Sequence, residues 1–270
     1  GDIGCLAVHG TINDVAVMGA EPLYLAASFV LEEGLPLSEL AAIVRSMGAA
    51  ARAAGVPVVT GDTKVVERGK ADGVFITTTG MGRLREGVDL SGANAHPGDA
   101  VLVSGPLGEH GIAIMAARHQ LGFESSVRSD TAALHGLVAG LLHAAPATHV
   151  LRDPTRGGAA ATLNEIARQS RVGIMLDEAA LPAHPEVAAA CELLGLDPLD
   201  LPCEGRLIAV CPADQAGPAL AALRTHPLGR DAARIGEVIA DERCFVQMRT
   251  RLGGRRMVDW LAAEALPRIC

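Results

Sequence analysis

Val56-Pro57-Val58-Val59-Thr60-Gly61-Asp62-Thr63-Lys64 sets the reading of the first part of the chain. Val56 to Thr60 reads as a short buried strand. Gly61-Asp62-Thr63-Lys64 follows at its end, where side chains and backbone amides converge, although Gly-Asp is also the composition of an ordinary turn. Upstream, Pro36 opens a helix in which Leu37, Leu40, Ala41, Val44 and Met47 keep the helical period, and Gly55 closes it. Before that, Pro22 to Glu32 reads as a strand, and residues 4 to 18 suit a helix with Leu6, Gly10, Asn13 and Val17 near one face. Downstream, Val74, Ile76 and Thr78 alternate through another strand that leads into the Gly-rich stretch Gly80 to Gly87. This is an α+β unit of about 85 residues, an ordinary domain size.

A second unit begins near Gly98-Asp99 with the strand Ala100 to Ser104, after the Pro-Gly-polar linker Ser91 to Gly98. Gly105 and Gly108 lead into a helix with Ile112, Met115, Ala116 and His119 on one face. Further helices read at 130–144, 157–169, 183–194 and 213–225, and strands at 172–176, 206–211, 233–239 and 243–249. The alternation suggests an α/β layout without naming its topology.

The 270 residues carry a net charge of −8, which argues against nucleic acid or an anionic membrane as the main partner. No apolar run approaches the ~20 residues that span a bilayer; the clearest, Leu23 to Leu31, has the length of a strand. Six cysteines form no C-x-x-C pair, which is cytosolic usage with neither a disulfide framework nor a zinc site. The cores must be built from Ala, Val, Leu and Ile, since there are only one Trp, one Tyr and four Phe. Gly1-Asp2-Ile3-Gly4 reads as the middle of a longer sequence, and an upstream segment is expected.

Three acidic motifs each place an Asp beside small residues at the edge of an element. Asn13-Asp14 interrupts an Ala-rich apolar helix, where the carboxylate suits a solvated face or a buried cap as well as a ligand. Asp62 and Lys64 stand in the Gly-Asp-Thr-Lys stretch. Asp153-Pro154-Thr155-Arg156-Gly157-Gly158 precedes a helix, and its glycines allow close approach of an anion to the helix N-terminus. Together they supply what a magnesium-nucleotide site needs: hard carboxylates, a Lys and an Arg for phosphate oxygens, and Gly-rich backbone. No Walker loop, kinase motif set or G-x-S-x-G elbow is present. Glu204, just before the strand at 206–211, can act as a general base or be a surface turn residue. His110 and His119 read as structural. Cys270 closes the sequence after Pro267, and its thiol suits either a tail that enters an active site or a leftover cysteine on a frayed end.

Gly1-Asp2-Ile3-Gly4, Thr11-Ile12-Asn13-Asp14 with Met18-Gly19-Ala20, Gly61 to Val66, Asp153 to Gly158 and Pro267-Arg268-Ile269-Cys270 occur in the order of the HypE family of hydrogenase maturation factors, which the whole chain resembles. The resemblance implies a two-domain α/β (α+β) fold of the PurM superfamily. Residues 1–90 would form an ATP-binding domain that pairs with a second copy in a β-barrel-like dimer interface, 98–260 a C-terminal α/β domain, and 261–270 a mobile tail. It implies that HypF carbamoylates Cys270. ATP then drives dehydration of the S-carboxamide to a thiocyanate, and cyanide passes to a HypC–HypD complex for the Fe(CN)2CO centre of [NiFe]-hydrogenase. Asp14, Asp62 and Asp153 would hold Mg2+. Asn13, Thr63, Arg156, Gly157 and Gly158 would meet the nucleotide. Lys64 would lie near the γ-phosphate, Glu204 would take a nitrogen proton, and Cys270 would carry the substrate. Cys203 stands where the family has Asn, and His9 where it has Cys. A chain truly lacking the upstream segment is expected to turn over ATP weakly or not at all.

Two other readings remain open. A sister PurM-type synthetase or kinase would act on a free small substrate, which gives no chemical reason for the Pro-Arg-Ile-Cys ending. A thiol carrier would present Cys270 without catalysing anything. The enzyme is expected in the cytoplasm, with no nucleic-acid or membrane partner.

Overall fold

The computed structural model describes residues 2–119 and 126–260, and the chain divides into two units. The first comprises the residues up to Glu86 together with Ala133–His135. Asp2 caps helix α1 (Ile3–Val17), its Oδ1 accepting from Gly4 N at 3.0 Å and Cys5 N at 3.1 Å. Strand β1 (Ala20–Glu32), helix α2 (Leu37–Ala54) and strand β2 (Val58–Val66) form a β-α-β crossover, so β2 lies parallel to β1. Strand β3 (Val74–Leu84) returns antiparallel along the other side of β1, giving the order β2-β1-β3.

Alternation along β1 turns Leu25 and Ala27 toward the helices, where they pack with Val8, Ile12, Met47, Ala50 and Ala51, and Leu31 is buried further along the same face. Tyr24, Ser28 and Val30 point to the opposite, helix-free face. The register puts Asp62 beside Ser28, Lys64 beside Val30, Phe75 opposite Val30 and Met81 opposite Tyr24, all on that same face. Tyr24, Phe75 and Met81 are exposed there.

This corrects the reading of the Val56 segment. The strand is not a short buried one ending in a turn: it starts at Val58 and runs straight through Gly61-Asp62-Thr63-Lys64 as an exposed edge. Gly61 is there for close backbone approach, since a Cβ would stand 2.0 Å from Ala27 O on β1.

The second unit holds a seven-stranded sheet of order β10-β9-β6-β8-β4-β7-β5. Its strands are β4 (Ala100–Val103), β5 (Val150–Arg152), β6 (Gly173–Asp177), β7 (Ile208–Cys211), β8 (Ala233–Ile239), β9 (Val246–Arg249) and β10 (Arg255–Met257). Pairing is antiparallel except for β6 with β9. The helices are α3 (Glu109–His119), α4 (His135–Ala144), α5 (Gly158–Ser170), α6 (Pro185–Leu194) and α7 (Ala216–Thr225). Val101, Val103, Leu163, Ile166, Ile174, Ile208 and Ile235 are fully buried in its main core, which has the aliphatic character the composition demands. No helix among the described residues is long and apolar enough to cross a membrane.

Candidate functional site

In the first unit, Asp14 is exposed near the C-terminal end of α1, while Asn13 beside it is buried. Asn13 Oδ1 accepts from Leu134 N at 2.7 Å, so this side chain holds the 133–135 segment against the helix and fixes the rotation that turns Asp14 outward. Asp62 and Lys64 project from the edge strand two residues apart and therefore on one face, while Thr63 points to the other. Thr63 N donates to Asp62 Oδ1 at 2.8 Å, which orients the carboxylate. Asp14 and Asp62 thus stand on separate elements.

The second unit brings two of the sequence motifs together. In Asp153-Pro154-Thr155-Arg156-Gly157-Gly158 the chain turns sharply: Thr155 N donates to Asp153 O at 3.0 Å and Gly158 N to Thr155 O at 2.9 Å. Gly157, left-handed at φ 73°, is the N-cap of α5 and, as a glycine, offers that end no side-chain cap. Gly158 is also left-handed, at φ 62°, and is pressed against the chain before Glu204; a Cβ would lie 2.4 Å from Leu199 O and 2.6 Å from Leu201 O. Cys203 N then donates to Pro154 O at 2.9 Å. The turn at the head of α5 and the Pro202-Cys203-Glu204-Gly205 segment are therefore one piece of structure. Arg156 is exposed on it, Asp153 is half-buried, and Glu204 is buried.

Asp130 carries no motif signal in the sequence, yet it holds this piece in place. Its side chain is fully buried; Oδ1 accepts from Glu204 N at 3.0 Å and Oδ2 from Gly205 N at 3.2 Å. Arg206 adds an ion pair to Glu109 and donates from Nε to Pro106 O at 2.9 Å. The helix expected from residue 130 begins only at His135, because Asp130 precedes it and is spent on this anchoring. Asp200, on the same segment, is half-buried, and burial, then Asp197, pushes its carboxyl up to about 6 against the pull of Arg256. Cys203 packs in the core; its Sγ accepts from Gly108 N at 3.3 Å, and burial drives the thiol far above its ordinary range. It behaves as an apolar side chain behind Glu204.

His110 is buried with Nδ1 2.7 Å from Ser129 Oγ, and burial lowers its pKa, in keeping with a structural role. The side chain of His119 and the whole of Pro267–Cys270 lie outside the described residues.

The two units match the two domains of the AIR-synthase-related proteins. The N-terminal domain of that family matches residues 1–84 and its C-terminal domain residues 96–249. Carbamoyl dehydratase HypE of Cupriavidus necator is 66% identical over 270 residues, covering all of this chain and 77% of that protein. A crystal structure of hydrogenase maturation protein HypE in complex with ATP matches with a TM-score of 0.96 and 50% identity, over 100% of this chain and 82% of that one. A HypE–HypF complex matches with 0.94 and 48%, over 97% and 85%. The chain belongs to the HypE family of carbamoyl dehydratases.

Proposed function

We infer that the chain uses ATP to dehydrate the S-carboxamide carried on its own Cys270, giving a thiocyanate for hydrogenase maturation. The observation that carries the reading is the Cys203 N to Pro154 O bond, which yokes a Gly-rich helix N-terminus to a buried carboxylate, Glu204. The first half of that piece suits phosphate and the second suits proton removal.

The carboxamide oxygen attacks the γ-phosphorus of ATP, ADP leaves, and a nitrogen proton is lost as C=N forms. The O-phosphorylated carbon then expels phosphate while the remaining nitrogen proton goes to a base, closing C≡N. Glu204 is that base, and its buried position keeps water from competing for the carboxylate. Lys64 stabilises charge on the γ-phosphoryl group. Asn13 (through its placement of Asp14), Thr63, Arg156, Gly157 and Gly158 serve the nucleotide. The carboxylates offered to Mg2+ are Asp14, Asp62 and Asp153, hard oxygen donors that suit this cation, which would neutralise phosphate charge when bound. Because Cys270 is part of the same chain, the substrate's effective concentration does not depend on diffusion.

HypF is the carbamoyl donor, as the HypE–HypF complex of a relative supports, and a HypC–HypD complex is the cyanide acceptor. The apolar helix-free face of the first unit, with Tyr24, Phe75 and Met81 exposed, supports a homodimer formed through that sheet. Cysteine usage supports a cytoplasmic site of action. Residues 1–90 would serve ATP and dimerisation, 98–260 would supply Glu204, and 261–270 would deliver the thiol.

Mass analysis of the Cys270 peptide after incubation with HypF, carbamoyl phosphate and ATP is the test. The expected product is carbamoylated, then lighter by one water. A carrier would stop at the carboxamide, and a free-substrate enzyme would leave Cys270 unmodified. Glu204→Gln should also stop at the carboxamide; normal dehydration in that variant removes Glu204 from the mechanism.

A further inference from the structure

His96, Asp99 and His149 lie in the second unit, on none of the elements used above. Their ligating atoms all fall within 4.8 Å of one another. We propose that these three side chains form a binding site for a single divalent transition-metal ion of the zinc class, completed by water.

The site is built by the sheet. Strands β4 and β5 both run antiparallel to β7, which lies between them, so both begin beside its C-terminal end. Asp99 immediately precedes β4 and His149 immediately precedes β5, so two potential ligands stand at the same end of the sheet, on either side of β7. His96 joins them through the turn His96-Pro97-Gly98-Asp99, closed by Asp99 N donating to His96 O at 3.0 Å with Gly98 at φ 98°. The main chain is pinned on both sides. Val238 pairs with Gly98 and Asp99, each bond at 2.8 Å; His149 N donates to Val210 O at 2.9 Å and His149 O accepts from Ser91 N at 3.2 Å. Such a frame holds its side chains before any ligand arrives.

The side chains converge on one point. Asp99 is buried; its Oδ2 accepts from His96 N at 2.8 Å and lies 2.8 Å from His149 Nδ1. The two Nδ1 atoms are 3.5 Å apart, with the rings edge to face at 70°. Bonds of roughly 2.0–2.1 Å to imidazole nitrogen put two ligands of a tetrahedral zinc site about 3.3 Å apart, so the nitrogens already have the spacing required. The Asp99–His149 contact needs to open by a few tenths of an ångström, and the remaining separation, within 4.8 Å, to close toward that spacing. Two imidazoles and one carboxylate suit Zn2+, Co2+, Ni2+ or Cu2+ rather than Mg2+, whose preference is for oxygen ligands. His96 is exposed, which gives an ion a path in. The backbone N–H of His96 on Asp99 Oδ2 is the kind of outer contact that orients a ligating carboxylate.

The site is distinct from the carboxylates proposed for Mg2+ and does not depend on the dehydratase reading. Titrating the untagged chain with Co2+ tests it. Expected is one equivalent bound with the ligand-field spectrum of nitrogen and oxygen ligands, free of the near-ultraviolet charge-transfer band of thiolate ligands. His96→Ala and His149→Ala should each weaken binding by at least about tenfold, and the double variant should lose the band. Trp260 fluorescence verifies that the variants are folded. Retention of the band and affinity in the folded double variant would overturn the proposal, as would a thiolate-type spectrum or wild-type binding no tighter than the double variant's.

Discussion

Replacing Gly158 by Ala tests the claim that the head of α5 and the Glu204 segment are one piece of structure. The added Cβ would stand 2.4 Å from Leu199 O, 2.6 Å from Leu201 O and 2.8 Å from Asp200 C, all main-chain atoms that cannot swing aside. Holding a residue with a side chain at φ 62° costs about 1–2 kcal/mol. Overpacking against a fixed neighbour adds about 1–3 kcal/mol. A loss of roughly 2–5 kcal/mol is therefore expected. Trp260 is the chain's single tryptophan, and the Arg168 guanidinium of α5 lies 4.9 Å from its ring centroid. Its fluorescence in a urea titration thus reports on the perturbed helix. Gly140→Ala is the control: nothing lies within 4 Å of its added Cβ on α4, and a gain of about 0.5–1 kcal/mol is expected there. A Gly158→Ala midpoint equivalent to within about 0.5 kcal/mol of the parent would refute the close-approach argument.

Asp130→Ala strips the acceptor from the amides of Glu204 and Gly205, each costing about 1–3 kcal/mol when left buried and unpaired. It should lower both the urea midpoint and the yield of dehydrated Cys270 peptide, while Asp130→Asn keeps one oxygen and loses less. Asp200 predicts a pH dependence. Its raised pKa means the folded state holds that proton more tightly, so its contribution is full below the ordinary carboxylate range and lost as pH rises through about 6. Asp200→Asn should therefore leave stability nearly unchanged near pH ~4 and raise it by about 1 kcal/mol near pH ~8, a value discounted for partial exposure; equal effects in urea titrations at the two pH values would contradict this. Phe75→Glu puts a charge on the helix-free sheet face and should shift sedimentation from dimer to monomer. A parent chain that sediments as a monomer at micromolar concentration would remove that interface.

Periodicity made the helices legible, and α2 begins and ends within a residue of where Pro36 and Gly55 place it. What the sequence hid has physical causes. Strands β5 and β10 have three residues each, too short for alternation to register. Gly61-Asp62 has turn composition, but its meaning depends on Ala27, a residue remote in sequence. Asp130 earns its role from two amides more than seventy positions away, and a lone Asp ahead of a helix gives no sign of that. The Asp153-to-Gly158 motif was visible; its attachment to Glu204 through main-chain atoms was not. The histidines showed no ligand spacing because His96 and His149 meet only when β4 and β5 are placed on either side of β7.

In the proposed reaction an activated carbon rides on the sulfur of Cys270, so the other thiols of the chain matter to it. A carbamoyl group on one thiol can be captured by another, provided the second is ionised and within reach. Cys191 and Cys211 are buried with thiols pushed up to about 11, and Cys203 is pushed higher still. At neutral pH these three hold almost no thiolate and expose almost no sulfur. The fold thus keeps three of its six cysteines from taking the cargo proposed for Cys270.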